Sequence, residues 1–189
     1  MLLKIILIIF LLSTIFLKGE QNMNDQLYNF IDPIAGAYKL LELDNYHTSK
    51  PYIDDINLTS TEIQKDIFPH YTIDSFNISN SELWHDISID VYNKSGYIFN
   101  INIYVAISPT EKLMRQQIEA PFLGISGPVT NLYIDKNEFS DYTASLNLKN
   151  FFVVSAKSNI VVHTSVNYGF DKIDGMEINQ MVLDYIFNK

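Results

Sequence analysis

Histidine is the side chain best suited to acid–base catalysis or metal binding near neutral pH, and this chain has four histidines at widely separated positions. No two of them have the His-x-x-x-His spacing that places a pair of imidazoles on one helical face. The chain contains no cysteine, so thiolate ligands, cysteine nucleophiles and disulfides are excluded. The sequence therefore predicts no metal site and no cofactor.

A serine nucleophile also lacks support. The segment Gly124-Ile125-Ser126-Gly127-Pro128 resembles the nucleophile elbow Gly-x-Ser-x-Gly, but a proline occupies the second glycine position. We therefore predict no catalytic residue and favour a protein that is not an enzyme. An exported hydrolase stays open as an alternative. The acid and base carboxylates of such an enzyme are paired by their distance in the folded structure, so no fixed spacing in the sequence identifies them.

Four aromatic residues grouped around one predicted hairpin form the candidate binding site. The chain is rich in aromatics, with 12 Tyr and 12 Phe. Aromatic side chains on an exposed strand face bind sugars, lipids or protein partners. They also pack in cores and in cross-strand pairs. The candidate residues are Trp84, Tyr92, Tyr97 and Phe99.

Alternating apolar and polar residues predict that hairpin. Apolar side chains occur at every second position before and after the turn Asn93-Lys94-Ser95-Gly96. Three further strands are predicted at 142–148, 151–156 and 160–166. One strand face is apolar and the other polar, which is typical of an antiparallel sheet.

Two helices are predicted, each directly after a strand pair. Ser108-Pro109-Thr110-Glu111 carries a capping serine, a proline and a glutamate, and Asp174-Gly175-Met176-Glu177 is a second capping pattern. The fold class is thus α+β, an antiparallel β-sheet with helices packed on one face, built from two strand-pair-then-helix units. The fold of residues 21–80 is left open, except for a short helix capped at Thr59.

Residues 1–19 have the pattern of a signal peptide. Lys4 precedes an apolar stretch from Ile5 to Leu17, and Gly19 is a small residue suited to cleavage. We expect a secreted or periplasmic product with one globular domain over residues 20–189. An N-terminal membrane anchor with the domain facing outward is the alternative. The glycosylation sequons at Asn57, Asn77 and Asn93 matter only if the organism is a eukaryote.

The charge of the domain excludes one class of partner. Cleavage after Gly19 removes Lys4 and Lys18 and no acidic residue, so the net charge changes from −9 to −11. Such a surface repels nucleic-acid phosphates. No later segment is long and apolar enough to span a membrane. The expected partner is a protein or a small molecule.

The segment Phe30–Lys39 resembles the motif that opens the lipocalin barrel, with Gly36-Ala37-Tyr38 in place of Gly-x-Trp. The resemblance implies a barrel around an apolar cavity. Tyr38 replaces the tryptophan, and the helix predicted from Pro109 would interrupt the barrel strands. We therefore assign no family. The first hypothesis is a non-catalytic exported binding or protein-interaction domain, and a lipocalin-like carrier of small hydrophobic ligands is an alternative.

Overall fold

The computed structural model describes residues 30–31, 40–54, 56–93, 96–123, 127–128, 132–137, 139–147, 150–167 and 174–189. The predicted signal peptide lies outside these residues, as do most of the lipocalin-like segment and the central serine of the Gly124–Pro128 segment. No described helix is both long enough and apolar enough to cross a membrane.

Seven antiparallel strands in one sheet form the centre of the described structure. Their order across the sheet is β2-β3-β4-β9-β8-β7-β6, and a separate two-stranded ribbon pairs β1 with β5. The strands are β1 (Phe30–Ile31), β2 (Thr72–Asn80), β3 (Trp84–Asn93), β4 (Gly96–Ala106), β5 (Gly127–Pro128), β6 (Leu132–Asn137), β7 (Ser140–Asn147), β8 (Asn150–Lys157) and β9 (Ile160–Asn167). Because β2 and β6 are opposite edges, the described strands form an open sheet and not the barrel that the lipocalin resemblance implied.

Two long helices and several short turns accompany the sheet. The long helices are α2 (Glu111–Glu119) and α3 (Gly175–Asn188), and the short α1 (Ser60–Glu62) continues as a π-helical turn at Ile63–Ile67. Turns of 3₁₀ helix lie at Leu43–Asn45 and Ala120–Phe122. The α+β class, the antiparallel sheet and the predicted strand pairs followed by helices are confirmed.

The two long helices lie on opposite faces of the sheet, whereas the sequence analysis placed helices on one face. Val182 of α3 belongs to the same core cluster as Val162 of β9. Met114 of α2 belongs to a second cluster with Val161, the preceding residue of the same strand. Since neighbouring residues of a strand point to opposite faces, β9 is covered by helices on both sides.

Each helix begins at a side chain that caps its free N–H groups. The α2 cap is Thr110, whose hydroxyl accepts a hydrogen bond from the Leu113 N–H at 3.2 Å, so the helix starts two residues later than the predicted cap at Ser108. Asp174 caps α3 as predicted and accepts from the Met176 N–H at 2.8 Å. Thr59 and Glu62 form the predicted capping box of α1.

Buried side chains attach the segment before α1 to the sheet. The Asn159 amide nitrogen donates to the carbonyls of Ile53 and Ala106, at 2.8 and 2.9 Å, and its amide oxygen accepts from the Ile53 N–H at 2.8 Å. Asp141 accepts from the Ser49 hydroxyl at 2.6 Å. Side-chain contacts and not regular backbone pairing therefore position this segment, which explains why alternation and helical periodicity left it unassigned.

Candidate functional site

The structure does not bring the four predicted aromatics onto one exposed surface. Phe99 is fully buried, and it pairs with Val91 on the α3 face of the sheet. Trp84 is half-buried on the other face, where its ring meets Tyr104 edge-on with centroids 6.2 Å apart. Tyr92 is half-buried in β3, and the side chain of Tyr97 lies outside the described residues. Phe99 lines a cavity.

Phe99 is the centre of an aromatic cluster with Phe68 and Tyr71. Its ring centroid lies 5.3 Å from that of Phe68 and 5.4 Å from that of Tyr71, and the two outer rings are 6.2 Å apart. All three pairs are edge-to-face, the geometry favoured by the ring quadrupoles. The cluster joins β4 to the turn between the π-helical segment and β2.

This cluster forms one wall of a half-open cavity of about 340 Å³, which we call the aromatic cavity. Its floor consists of the buried residues Ile67, Phe68, Phe99 and Ile178. Met181, 39% exposed, lies at the rim. The described lining residues are Asp66, Ile67, Phe68, Pro69, His70, Tyr71, Phe99, Asp174, Glu177, Ile178 and Met181. An apolar floor under a polar rim is typical of small-ligand sites.

A wide helical turn aims Phe68 into the cavity. The Phe68 N–H donates to the Ile63 carbonyl at 2.9 Å, five residues back, and Pro69 cannot continue the helix. The Gln64 side-chain amide donates to the carbonyls of Phe68 and Tyr71 and accepts from the Ile73 N–H at 3.0 Å. Gln64 thus fixes the turn that carries two of the three rings. Single π-helical turns are frequent at functional sites.

The rim of the aromatic cavity is acidic. Asp66, Asp174 and Glu177 are exposed there. Asp66 accepts a hydrogen bond from the Tyr185 hydroxyl at 3.3 Å, and Asp174 is engaged as the cap of α3. Among the described lining residues there is no lysine or arginine. The described rim therefore favours positive charge over negative charge.

Most of the aromatic cavity was missed by sequence reasoning. Phe68, His70 and Tyr71 belong to the stretch whose fold was left open, and they meet α3 only in three dimensions. One available signal was the capped helix that stops at Pro69, because such a stop places the preceding aromatic residue at a fixed turn. The other was Phe99 itself, which belonged to the predicted set.

The opposite face of β2–β4 is a polar surface that contains Trp84. Its polar side chains bond mainly to each other: Asp90 accepts from Ser75 at 2.5 Å and from Asn100 at 2.7 Å. One oxygen of Asp86 is buried without a hydrogen-bond partner among the described residues, and burial raises the pKa of that carboxyl. Because most of its polar side chains bond to one another, this face is a weaker candidate than the aromatic cavity, which has an apolar floor to bury a ligand.

His163 is packed beneath α2 and is not available as a ligand or base. It is largely shielded from solvent, and its Nε2 lies 3.0 Å from the Gln117 carbonyl, which requires the proton on Nε2. Its ring centroid is 4.8 Å from that of Tyr104. Burial lowers the pKa of His163 to about 4, so the folded protein holds it neutral.

The neutral His163 should make the fold sensitive to acid. The unfolded chain takes up this proton near pH 6.5 and the folded chain only near 4, so the stabilisation is complete above the first value and is lost towards the second. The wild-type protein should lose about 2 kcal/mol of unfolding free energy through His163 between about pH 7 and about pH 4.5. We expect His163→Gln, which keeps a donor for the Gln117 carbonyl, to lack this part of the pH-dependent loss. Urea unfolding at both pH values measures this, with His70→Gln as the exposed control. An unchanged pH dependence in His163→Gln would contradict the assignment.

No group of metal-binding side chains is found in the part of the chain that the structure describes. No family model matches the chain, and no curated protein or solved structure matches it significantly. The function of the chain must therefore be inferred from the geometry of the aromatic cavity.

Proposed function

We propose that the chain is a non-catalytic, exported binding domain that takes a small ligand with an apolar group into the aromatic cavity. The observation that carries the proposal is the cavity of about 340 Å³ with a buried floor of two phenylalanines and two isoleucines. This volume lies at the lower end of the range of small-molecule sites. Burial of an apolar group against that floor supplies the binding free energy, at roughly 25 cal/mol per Å² removed from water.

The exported location is supported by the sequence alone. Lys4 followed by the apolar stretch Ile5–Leu17 is the leader pattern, and the lack of cysteine means that folding needs no oxidising step. An exported location and the aromatic cavity together fit a carrier or sensor of small molecules outside the cell or in the periplasm.

A hydrolase is the second candidate, because three carboxylates surround the same cavity. Acid–base hydrolysis needs two such groups on either side of a scissile bond, and Asp66, Asp174 and Glu177 are the acids that could supply them. The hydrolase predicts turnover of a chromogenic glycoside or ester that is lost in Glu177→Gln. If the chain is a binding domain, neither the wild-type protein nor Glu177→Gln should turn over these substrates.

Saturation-transfer NMR with benzyl alcohol as a neutral probe tests binding in the aromatic cavity. At about 0.5 kcal/mol per non-hydrogen atom, we expect a Kd on the order of 1 mM. Met181→Trp places an indole at the rim and should abolish saturable binding. Gln180→Trp is the matched control, since residue 180 is exposed on the same helix and does not line the aromatic cavity.

Equal binding by wild-type protein and Met181→Trp would place the probe elsewhere and overturn the proposed site. Absence of saturable binding in the wild-type protein would also contradict the proposal. Loss in Met181→Trp with retention in Gln180→Trp supports it, because the two variants differ only in whether the new side chain borders the aromatic cavity.

A further inference from the structure

We infer that the ligand of the aromatic cavity is an organic cation, an ammonium group that carries methyl or larger apolar substituents. The inference rests on the proposed binding function and names the class of ligand for that same site. It follows from two features that occur together: three carboxylates at the rim, and three aromatic rings in the wall.

The carboxylates supply the charge complementarity. Asp66 reaches the cavity from the π-helical turn, and Asp174 and Glu177 reach it from the first turn of α3. A carboxylic-acid ligand would meet three like charges, and the described lining residues include no lysine or arginine to offset them. Lys189 lies outside that lining, where it pairs with Glu62 at 2.8 Å and lies over the Tyr185 ring. A cation is attracted by all three, although solvent and salt reduce each contribution at an exposed rim.

The rings add a second attraction that selects soft cations over hydrated metal ions. Phe68 and Phe99 are 2% and 0% exposed, so the half-buried Tyr71 presents the ring of this cluster that a ligand can reach. A cation over a ring face is attracted by the ring quadrupole. A substituted ammonium ion also buries its methyl groups against the apolar floor, whereas a small metal ion would lose its water shell without gaining oxygen ligands from that floor.

The N-terminus of α3 opposes a cation, and its effect is the smaller one. A helix N-terminus carries the equivalent of about half a positive charge. Asp174 caps this end through the Met176 N–H at 2.8 Å, and Glu177 adds a second acid in the first turn. Two full negative charges on that turn outweigh the partial positive charge, so the described rim stays negative even before Asp66 is counted.

The test compares choline with 3,3-dimethylbutan-1-ol, its neutral isostere, on the full-length secreted protein. The two probes have the same shape and differ in the charge of one atom. We expect choline to bind about tenfold more tightly at low salt, from the sum of weak charge pairing and cation–π attraction. The ratio should fall towards one in Asp66→Asn/Glu177→Gln and at high salt. Asp174→Asn should lower it while keeping a good helix cap.

A matched control removes two charges from outside the aromatic cavity. Asp44→Asn/Glu82→Gln changes two exposed acids that are not among its described lining residues, and it should keep the tenfold ratio. Equal binding of the two probes, with both blocked by Met181→Trp, would overturn the cation inference and leave the proposed binding function intact. Loss of the ratio in the control pair would also overturn it, since the preference would then come from net charge. If neither probe binds, the cation inference fails, and benzyl alcohol binding decides separately whether the aromatic cavity takes ligands.

Discussion

Replacing Asn179 by alanine is expected to lower the free energy of unfolding by about 3 kcal/mol. Asn179 is fully buried in α3, and its amide oxygen accepts from the Thr164 hydroxyl at 2.5 Å. Its amide nitrogen donates to the Ser155 hydroxyl at 3.1 Å and to the Val162 carbonyl at 3.2 Å. Alanine removes these bonds and leaves polar groups buried between helix and sheet, where water cannot replace the lost partner.

Urea or thermal unfolding measures this effect, with Gln180→Ala as the control from the next position of the same helix. Residue 180 is exposed, so its change should stay within about 0.5 kcal/mol. A loss below about 1 kcal/mol in Asn179→Ala would contradict the role of this amide as the polar link between α3 and the two strands β8 and β9.

Replacing Phe99 by alanine is expected to destabilise the fold by about 4 kcal/mol and to weaken ligand binding. The ring is fully buried and lies against both Phe68 and Tyr71, so its removal costs apolar burial and leaves a void. It also removes one of the buried residues that form the floor of the aromatic cavity. Phe99→Leu retains most of the volume and should therefore lose less stability.

Tyr133→Ala is the control for a strand aromatic, because Tyr133 is 52% exposed in the edge strand β6. Its effect on unfolding should be small. If Phe99→Ala cost no more than Tyr133→Ala, the position of Phe99 as a core residue would be wrong.

The strand pairs and the caps at Thr59 and Asp174 were predictable because they depend on neighbouring residues, whereas the cap predicted at Ser108 lies at Thr110. Alternation gave the hairpin of β3 and β4, and Asp174 gave the start of α3. The placement of α2 and α3 on opposite faces was not predicted, because it depends on which face each strand residue buries. The run Ile160-Val161-Val162 held the clue, since a continuous apolar run is typical of a strand covered on both sides.

The aromatic cavity was predictable only in part, because its residues come from three separate segments. Phe99 was selected for its aromatic ring, with an exposed strand face and a core position both left open, and the structure buries it beside Phe68. Nothing in local spacing brings Asp66 near Glu177, which lies more than a hundred residues later in the chain. Long-range packing of α3 against the turn before β2 creates that proximity.

A methyl-detected NMR titration of the protein with choline tests directly whether the aromatic cavity is the binding site. We expect the Met181, Ile178 and Ile67 methyl signals to shift with one common saturation curve, since these groups border the aromatic cavity. The exposed Leu83 and Ile107, which lie together at the far end of the hairpin, should stay unchanged. Saturable shifts at Leu83 and Ile107, or none at Met181, would contradict the claim that the aromatic cavity is the binding site.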